Sequence, residues 1–425
     1  LPMLPPTKRL PKESTIPAVW MRSGTSKGLF LHREHLPTDE TNWESILLAL
    51  MGSKGTKSGD NAPQTDGLGG GTSTTSKVAV VGRSSQPGID LEYSFVQVDF
   101  KAGRTDRSGT CGNMVAGVGP FAWDQHLLDR SSGWSSSSSS TAIDIHVLDT
   151  NTSQVFRLTM PNPYYYHHTH PDSLSMFAAT WEAIKVTMVQ PGGQMTGALF
   201  PKKESSSSST EEERTTVLEI PCGWTGQLLR VRATLIDCGN PFVLVAAADM
   251  PVQYHLEQQD ALFSDAARLT VETLRRAASL RLGLATSWDV AARQRTVPKI
   301  AVVTPATAAG ASVDATVTAY SLGDLHPTIQ LTGAVALAAA LSVPGTVLAA
   351  AAAAAASTIK VGNGNHTSSY APPTFRTWRI AHPRGTVKVE IVSLRLADGS
   401  YCIESASVMR TARKLFEGQA FYCLK

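Results

Sequence analysis

The chain has 425 residues, 42% of them hydrophobic and 17% charged, with 38 basic against 35 acidic side chains and a net charge of +3. That length suffices for two ordinary domains and a sizeable core. The absence of a dense basic tract argues against nucleic acid as a partner. Five scattered cysteines with no CxxC argue against a disulfide scaffold or structural zinc, and fit a reducing, cytoplasmic setting.

Residues 1–15, "LPMLPPTKRLPKEST", contain no apolar signal core and read as an N-terminal tail. Residues 16–31, "IPAVWMRSGTSKGLFL", read as strand, polar loop, strand, with Arg22 and Lys27 flanking the loop Ser23-Gly24-Thr25-Ser26. Helical spacing follows over 42–53. "DGLGGGTSTTSKVAVVG" (66–82) is a glycine-rich loop feeding a strand that Lys77 enters, and 91–100 is another strand. In "TDRSGTCGNMVAGVGPFAW" (105–123), a turn at 110–113 opens an apolar helix that "HLLDR" (126–130) ends.

Serine runs at 135–140 and 205–209 read as surface insertions. Between them "AIDIHVLDT" and "SQVFRLTM" suggest an antiparallel pair. Strands return over 226–250, a helix covers 265–284, and "PKIAVVTP" (298–305) is a strand bounded by prolines. Residues 314–340 read as strand, loop, helix, and 385–396 as a strand. The apolar stretch 332–358 is long enough to span a bilayer, but Pro344 and Gly345 divide it. We therefore expect two soluble helical pieces and no membrane span.

Two residues stand out chemically. A thiol at a helix N-terminus faces free N–H groups and the positive end of the dipole, which favours the thiolate of Cys111. The alternative is a small buried hydrophobe. A lysine entering an apolar strand is a candidate base with a depressed pKa, which describes Lys77, or else it snorkels to the surface. His326 in "DLHPT", and His382 with Arg384 in "AHPRG", add cations suited to carboxylates, or cap ordinary turns. "RSGTSKG" is not a phosphate-binding P-loop, and "DGLGGGTS" is not a dinucleotide fingerprint. No metal-ligand spacing is convincing, and the histidines of "YYYHHTHP" (164–171) read as an exposed loop. A strand–loop–apolar helix unit occurs twice, one helix opened by Cys111 and the other by "LTGA" (331–334). Two lobes with facing helix N-termini would form an anion pocket.

Four stretches together resemble the PrpF family: "MRSGTSKGLF" (21–30), "DGLGGGTSTTSKVAVV" (66–81), "GTCGNMVAGVGPFA" (109–122) and "HPTIQLTGAVALA" (326–338), with "ATLIDCGNPFVLV" (233–245) and "AHPRG" in support. The resemblance implies an α+β fold of two pseudo-symmetric diaminopimelate epimerase-like lobes, each a mostly antiparallel sheet wrapped around a central helix. The expected division is a tail at 1–15, lobe 1 at 16–190, lobe 2 at 191–395, and a segment at 396–425 returning to lobe 1.

It further implies a cofactor-independent, metal-free isomerase of a small di- or tricarboxylate, with the site lysine and cysteine falling on Lys77 and Cys111. A two-thiol epimerase would carry its second cysteine at Gln330–Thr332, so a lysine paired with one thiol fits a 1,3-proton shift better. The substrate-binding expectation comprises Arg22, Ser23, Gly24, Thr25, Ser26, Gly112, Asn113, Thr332, Gly333, His382 and Arg384. Three grips among them, the 23–26 turn, the helix start at 332–334, and His382 with Arg384, favour an unsaturated tricarboxylate such as aconitate. Methylitaconate isomerase, an oxalomesaconate-type tautomerase, a non-catalytic accessory of an aconitase-like enzyme and an unrelated ligand-binding protein remain alternatives, and a homodimer is left open.

Overall fold

The computed structural model describes residues 13–53, 64, 66–128, 141–162, 184–201, 214–221, 227–251, 254, 265–306, 311–348 and 372–424. Residues 1–12 of the tail, both serine runs, the histidine tract and the second helical piece expected beyond 348 lie outside the described residues.

In chain order the first elements are β1 (Glu13–Ser23), β2 (Ser26–His32), α1 (Trp43–Met51), β3 (Lys77–Arg83), β4 (Leu91–Asp99), β5 (Arg104–Asp106), α2 (Gly112–Val115), α3 (Val118–Asp124), β6 (Ala142–Asp149), β7 (Val155–Pro161) and β8 (Ile184–Val189). Then come β9 (Thr216–Pro221), β10 (Leu228–Asp237), β11 (Pro241–Ala246), α4 (Asp265–Arg281), α5 (Trp288–Arg293), β12 (Lys299–Pro305), β13 (Ala315–Ser321), β14 (Asp324–Leu325), α6 (Leu331–Ser342), β15 (Thr374–His382), β16 (Gly385–Arg395), β17 (Tyr401–Arg410) and β18 (Ala412–Cys423).

The strand pairings read the same from either end. From β18 the ladder runs β18-β1-β2-β3-β4-β6-β7-β8, crosses to β17, and continues β16-β15-β13-β12-β11-β10-β9. Parallel pairs fall at matching places, β2–β3 and β4–β6 in one half, β11–β12 and β13–β15 in the other. All other pairings are antiparallel, and β18 closes back onto β1 from Glu13↔Cys423 to Ser23↔Ala412.

Side-chain alternation explains how each half covers its helix. In β3, Ala79 and Val81 face the large central core, while Val78 and Val80 face a second cluster under α1. In β12, Ala301 and Val303 join the same central core, while Ile300 and Val302 face a third cluster under α4. Both strands are therefore buried on two faces, and both read as continuous apolar runs. The parity sends the side chains of Lys77 and Lys299, first residue of each strand, toward the central helices.

Those helices are α2/α3 and α6. Leu331 through Leu341 of α6 are all buried. Five alanines and a glycine among them keep the helix slender enough to thread the wrapped sheet. The apolar stretch from Cys111 is two short helices rather than one, ending at Asp124 and not within 126–130. Pro120 accounts for the break: its ring opposes the carbonyl four residues back, at Ala116, and offers no N–H. Gly117 sits at this joint with a Cβ position 2.7 Å from Phe30 Cζ, so any larger residue would push on the core.

The central core should respond as a packed interior. Leu337→Ala in α6, a site with no exposure, is expected to cost about 2–5 kcal/mol in urea unfolding. Leu415→Ala on the exposed side of β18 should stay within about 0.5 kcal/mol of wild type. Equal losses would contradict a core centred on α6.

Candidate active site

One cavity gathers most of the chemistry. It is lined by Ser26, Lys77, Phe95, Thr110, Cys111, Gly112, Asn113, Lys299, Ser321, His326, Gln330, Leu331 and Thr332. Its free volume is about 20 Å³, room for roughly one water. Both helix starts reach it. Cys111 is the residue that precedes α2, in extended conformation, and Gln330 occupies the same place before α6. The two starts touch: a Cβ on Gly112 would lie 2.6 Å from Leu331 Cδ2. Glycine at 112 is what permits this approach.

Turns brace the two helix starts by matching hydrogen bonds. In the β1–β2 turn, Gly24 takes a positive φ of 55° and Thr25 Oγ1 accepts from Asn113 Nδ2 at 3.0 Å. In the β10–β11 turn, Gly239 takes φ 76°, and Asn240 Nδ2 donates to Thr332 Oγ1 at 3.1 Å and to Thr110 O at 3.0 Å. Hydroxyl and amide have exchanged sides, turn to helix, between the halves. Asn240 Oδ1 also accepts from Thr110 N–H, so one side chain ties both halves together.

Lys77 is buried. Its Nζ donates to Gln97 Oε1 at 2.6 Å and lies 4.9 Å from the centre of the Phe95 ring. Burial pushes the amine down, partly offset by the neighbouring Cys111. Lys299 Nζ donates to Thr296 O at 2.8 Å. Burial, and then the charge of Lys77, hold its pKa down to about 8. His326 is pushed down to about 3 by burial and by Lys77, so its imidazole is neutral at neutral pH. Its Nδ1 accepts from Thr328 N–H at 3.2 Å, which leaves Nε2–H as the free donor. Ser26 Oγ and Gln330 Oε1 are buried without a hydrogen-bond partner. No carboxylate lines the cavity.

Of the residues singled out from the sequence, Lys77, Cys111, Ser26, Gly112, Asn113, Thr332 and His326 therefore share one cavity, His326 as a neutral imidazole rather than the expected cation because it is buried beside Lys77. Ser23 is fully buried beneath it, its hydroxyl donating to Asn113 O and Met114 O. Gly333 packs against Phe242, one residue into the helix. Arg22 turns away to the carbonyls of Gly24 and Thr411. Arg384 is exposed on the β15–β16 hairpin, its N–H on His382 Nδ1. His382 lies close enough to His326 and Arg410 for their charges to couple. The arginine that reaches the site is instead Arg410, whose Nε donates to Asn113 Oδ1 at 2.9 Å.

Lys299, Ser321 and Gln330 were not among the expected site residues. The signal for Lys299 was present: "KVAVV" at 77–81 recurs as "KIAVV" at 299–303. Among the described residues no three His, Cys, Asp or Glu side chains cluster as metal ligands would, and no helix is long and apolar enough to cross a membrane.

The PrpF protein family model matches residues 13–422. The 2-methyl-aconitate isomerase of Shewanella oneidensis is 31% identical, over 97% of this chain and 98% of its own length. The (4E)-oxalomesaconate Delta-isomerase of a Novosphingobium species is also 31% identical, over 95% and 97%. Among solved structures, a methylitaconate-delta-isomerase superposes with a TM-score of 0.61 at 25% identity, over 96% of both chains. A hydroxyproline epimerase from Agrobacterium vitis does so at 0.51 and 11%, over 96% and 92%, a likeness of fold alone.

The contact between the helix starts is directly testable. Gly112→Ala should cost about 1–3 kcal/mol of stability by overpacking against Leu331, and Leu331→Ala in the same chain should return part of that loss. A Gly112→Ala protein as stable as wild type would contradict the contact.

Proposed function

The chain belongs to the PrpF family, has the diaminopimelate epimerase-like α+β fold, and is an isomerase; from that premise we propose that it catalyses an allylic 1,3-proton shift, or the cis–trans isomerisation that such a shift permits, in an unsaturated tricarboxylate such as aconitate. The carrying observation is that Lys77 and Cys111 line one cavity together with a second lysine, a neutral histidine, two helix starts and no acid. A polyanion entering it meets two amines and no carboxylate.

The chemistry follows from that arrangement. The Lys77–Cys111 pair takes a proton from the methylene carbon beside the double bond. The electron pair left behind spreads through the allylic system and onto the attached carboxylate. The start of α2, His326 and Ser26 line the cavity where that charge would develop, and preorganised donors in a dry site are worth most there. The pair then returns the proton to the far carbon of the allylic unit, and rotation before return exchanges cis and trans. Amine and thiol on one cavity wall give two proton-handling groups, so removal and return need not use the same atom. The cavity as it stands has about 20 Å³ of free volume, so on this reading its lining rearranges around substrate.

Substrate charge sets the discrimination. The relatives' names include both tricarboxylates and the dicarboxylate methylitaconate. Losing one charged contact costs about 1.5–3 kcal/mol, or roughly 10- to 150-fold. Purified protein assayed against cis-aconitate, trans-aconitate, methylitaconate and oxalomesaconate should show a kcat/KM for aconitate higher than that for methylitaconate by about this factor. A preference for methylitaconate would overturn the tricarboxylate assignment and leave the proton shift standing. Turnover of none of them would favour the accessory role.

A further inference from the structure

The Lys77–Cys111 pair occupies only one half of the cavity. The other half repeats its scaffold with different chemistry. Lys299 opens β12 as Lys77 opens β3, in matching parallel pairings, Phe242↔Lys299 and Gly28↔Lys77. Gln330 precedes α6 as Cys111 precedes α2. The second half has thus kept the lysine and exchanged the thiol for an amide.

We propose that Lys299, together with the free N–H groups at the start of α6, anchors a substrate carboxylate opposite the Lys77–Cys111 pair. This deepens the isomerase reading above and rests on it. Three observations support it. Lys299 spends one N–H on Thr296 O, and an ammonium has three to give. The helix α6 is twelve residues long, so its first N–H groups have no acceptor within the helix. On the same cavity Ser26 Oγ is buried without a partner, and its hydroxyl can donate to an anion. An unsatisfied buried polar atom is costly unless a ligand or water answers it.

Charge points the same way. The groups facing Lys299 are Lys77 from β3, Cys111 ahead of α2, Asp106 from β5, Arg275 from α4 and His326 after β14. Asp106 is already engaged, Oδ1 by Ser108 and Oδ2 by the Thr296 N–H at 3.1 Å. Arg275 is held by Glu272. Two repelling amines therefore face a space that lacks an anion. A carboxylate there would meet both and keep Lys299 protonated. Because the free amine titrates near pH 8, binding should be tight below that pH and weaken as pH rises through it.

The test uses tricarballylate, a saturated tricarboxylate with no double bond to shift. Its affinity is measured by titration calorimetry from pH 6.5 to 9.5 for wild type, Lys299→Met and Lys299→Arg, with thermal melts alongside. The expected result is a 10- to 100-fold weaker Kd for Lys299→Met, a smaller loss for Lys299→Arg, and loss in Lys299→Met of the decline in affinity above pH 8. A Lys299→Met Kd equal to wild type would overturn the proposal, as would equal losses in both variants. If Lys299→Met fails to fold, the wild-type profile decides: a decline centred near pH 8 supports the anchor, and affinity unchanged to pH 9.5 overturns it. Wild type that binds no tricarballylate and turns over no polycarboxylate would sink the isomerase substrate reading itself, and the anchor with it.

Discussion

Two buried lysines face one cavity, and no carboxylate lines it to neutralise them. That constraint organises the rest of the molecule. Burying an amine beside another disfavours the charged form of each, because desolvation and like charge act in the same direction. A fold tolerates this when it supplies rigid support from elsewhere. Here the support is the continuous ladder, with β3 and β12 packed on both faces and pinned on both edges. On the proposed reading an anion relieves that electrostatic cost, and the site discriminates by charge.

The near-twofold plan explains why the site lies where it does. Each half contributes one lysine at a strand start and one helix start, and the halves meet where Gly112 lies against Leu331. Asn240 spans the junction through Thr110 and Thr332. Symmetry stops at the side chains. Cys111 faces Gln330, and the hydroxyl–amide bond of Thr25 and Asn113 is reversed in Thr332 and Asn240. A symmetric pair of thiols would suit inversion at one carbon. The asymmetric set suits moving a proton between two carbons while the rest of the substrate is held.

Much of the plan is legible in the sequence. The apolar runs of β3 and β12, the alternation in β6 and β7, the spacing of α1 and α4 and the small-residue helix at 331–342 all carry their periods openly. Lys77 and Cys111 are visible because each departs from its surroundings: a cation leading an apolar strand, a thiol between glycines. What local pattern could not supply was register across the halves. Lys299 leads the same apolar motif as Lys77, but only the fold places the two at one cavity. Arg384 and Arg22 looked suited to carboxylates because arginine beside a turn often is. The β15–β16 hairpin leaves Arg384 in solvent, and Thr411 engages Arg22.

The central claim is that Lys77 and Cys111 move a substrate proton, and hydrogen exchange tests it most directly. With aconitate in deuterated buffer, proton NMR follows loss of the substrate methylene signal under wild type, Lys77→Ala and Cys111→Ser. The account predicts deuterium entering that methylene with wild type, and exchange slower by about 10²- to 10⁴-fold in each variant, the usual scale of acid–base catalysis. Exchange at the wild-type rate in both variants would contradict it.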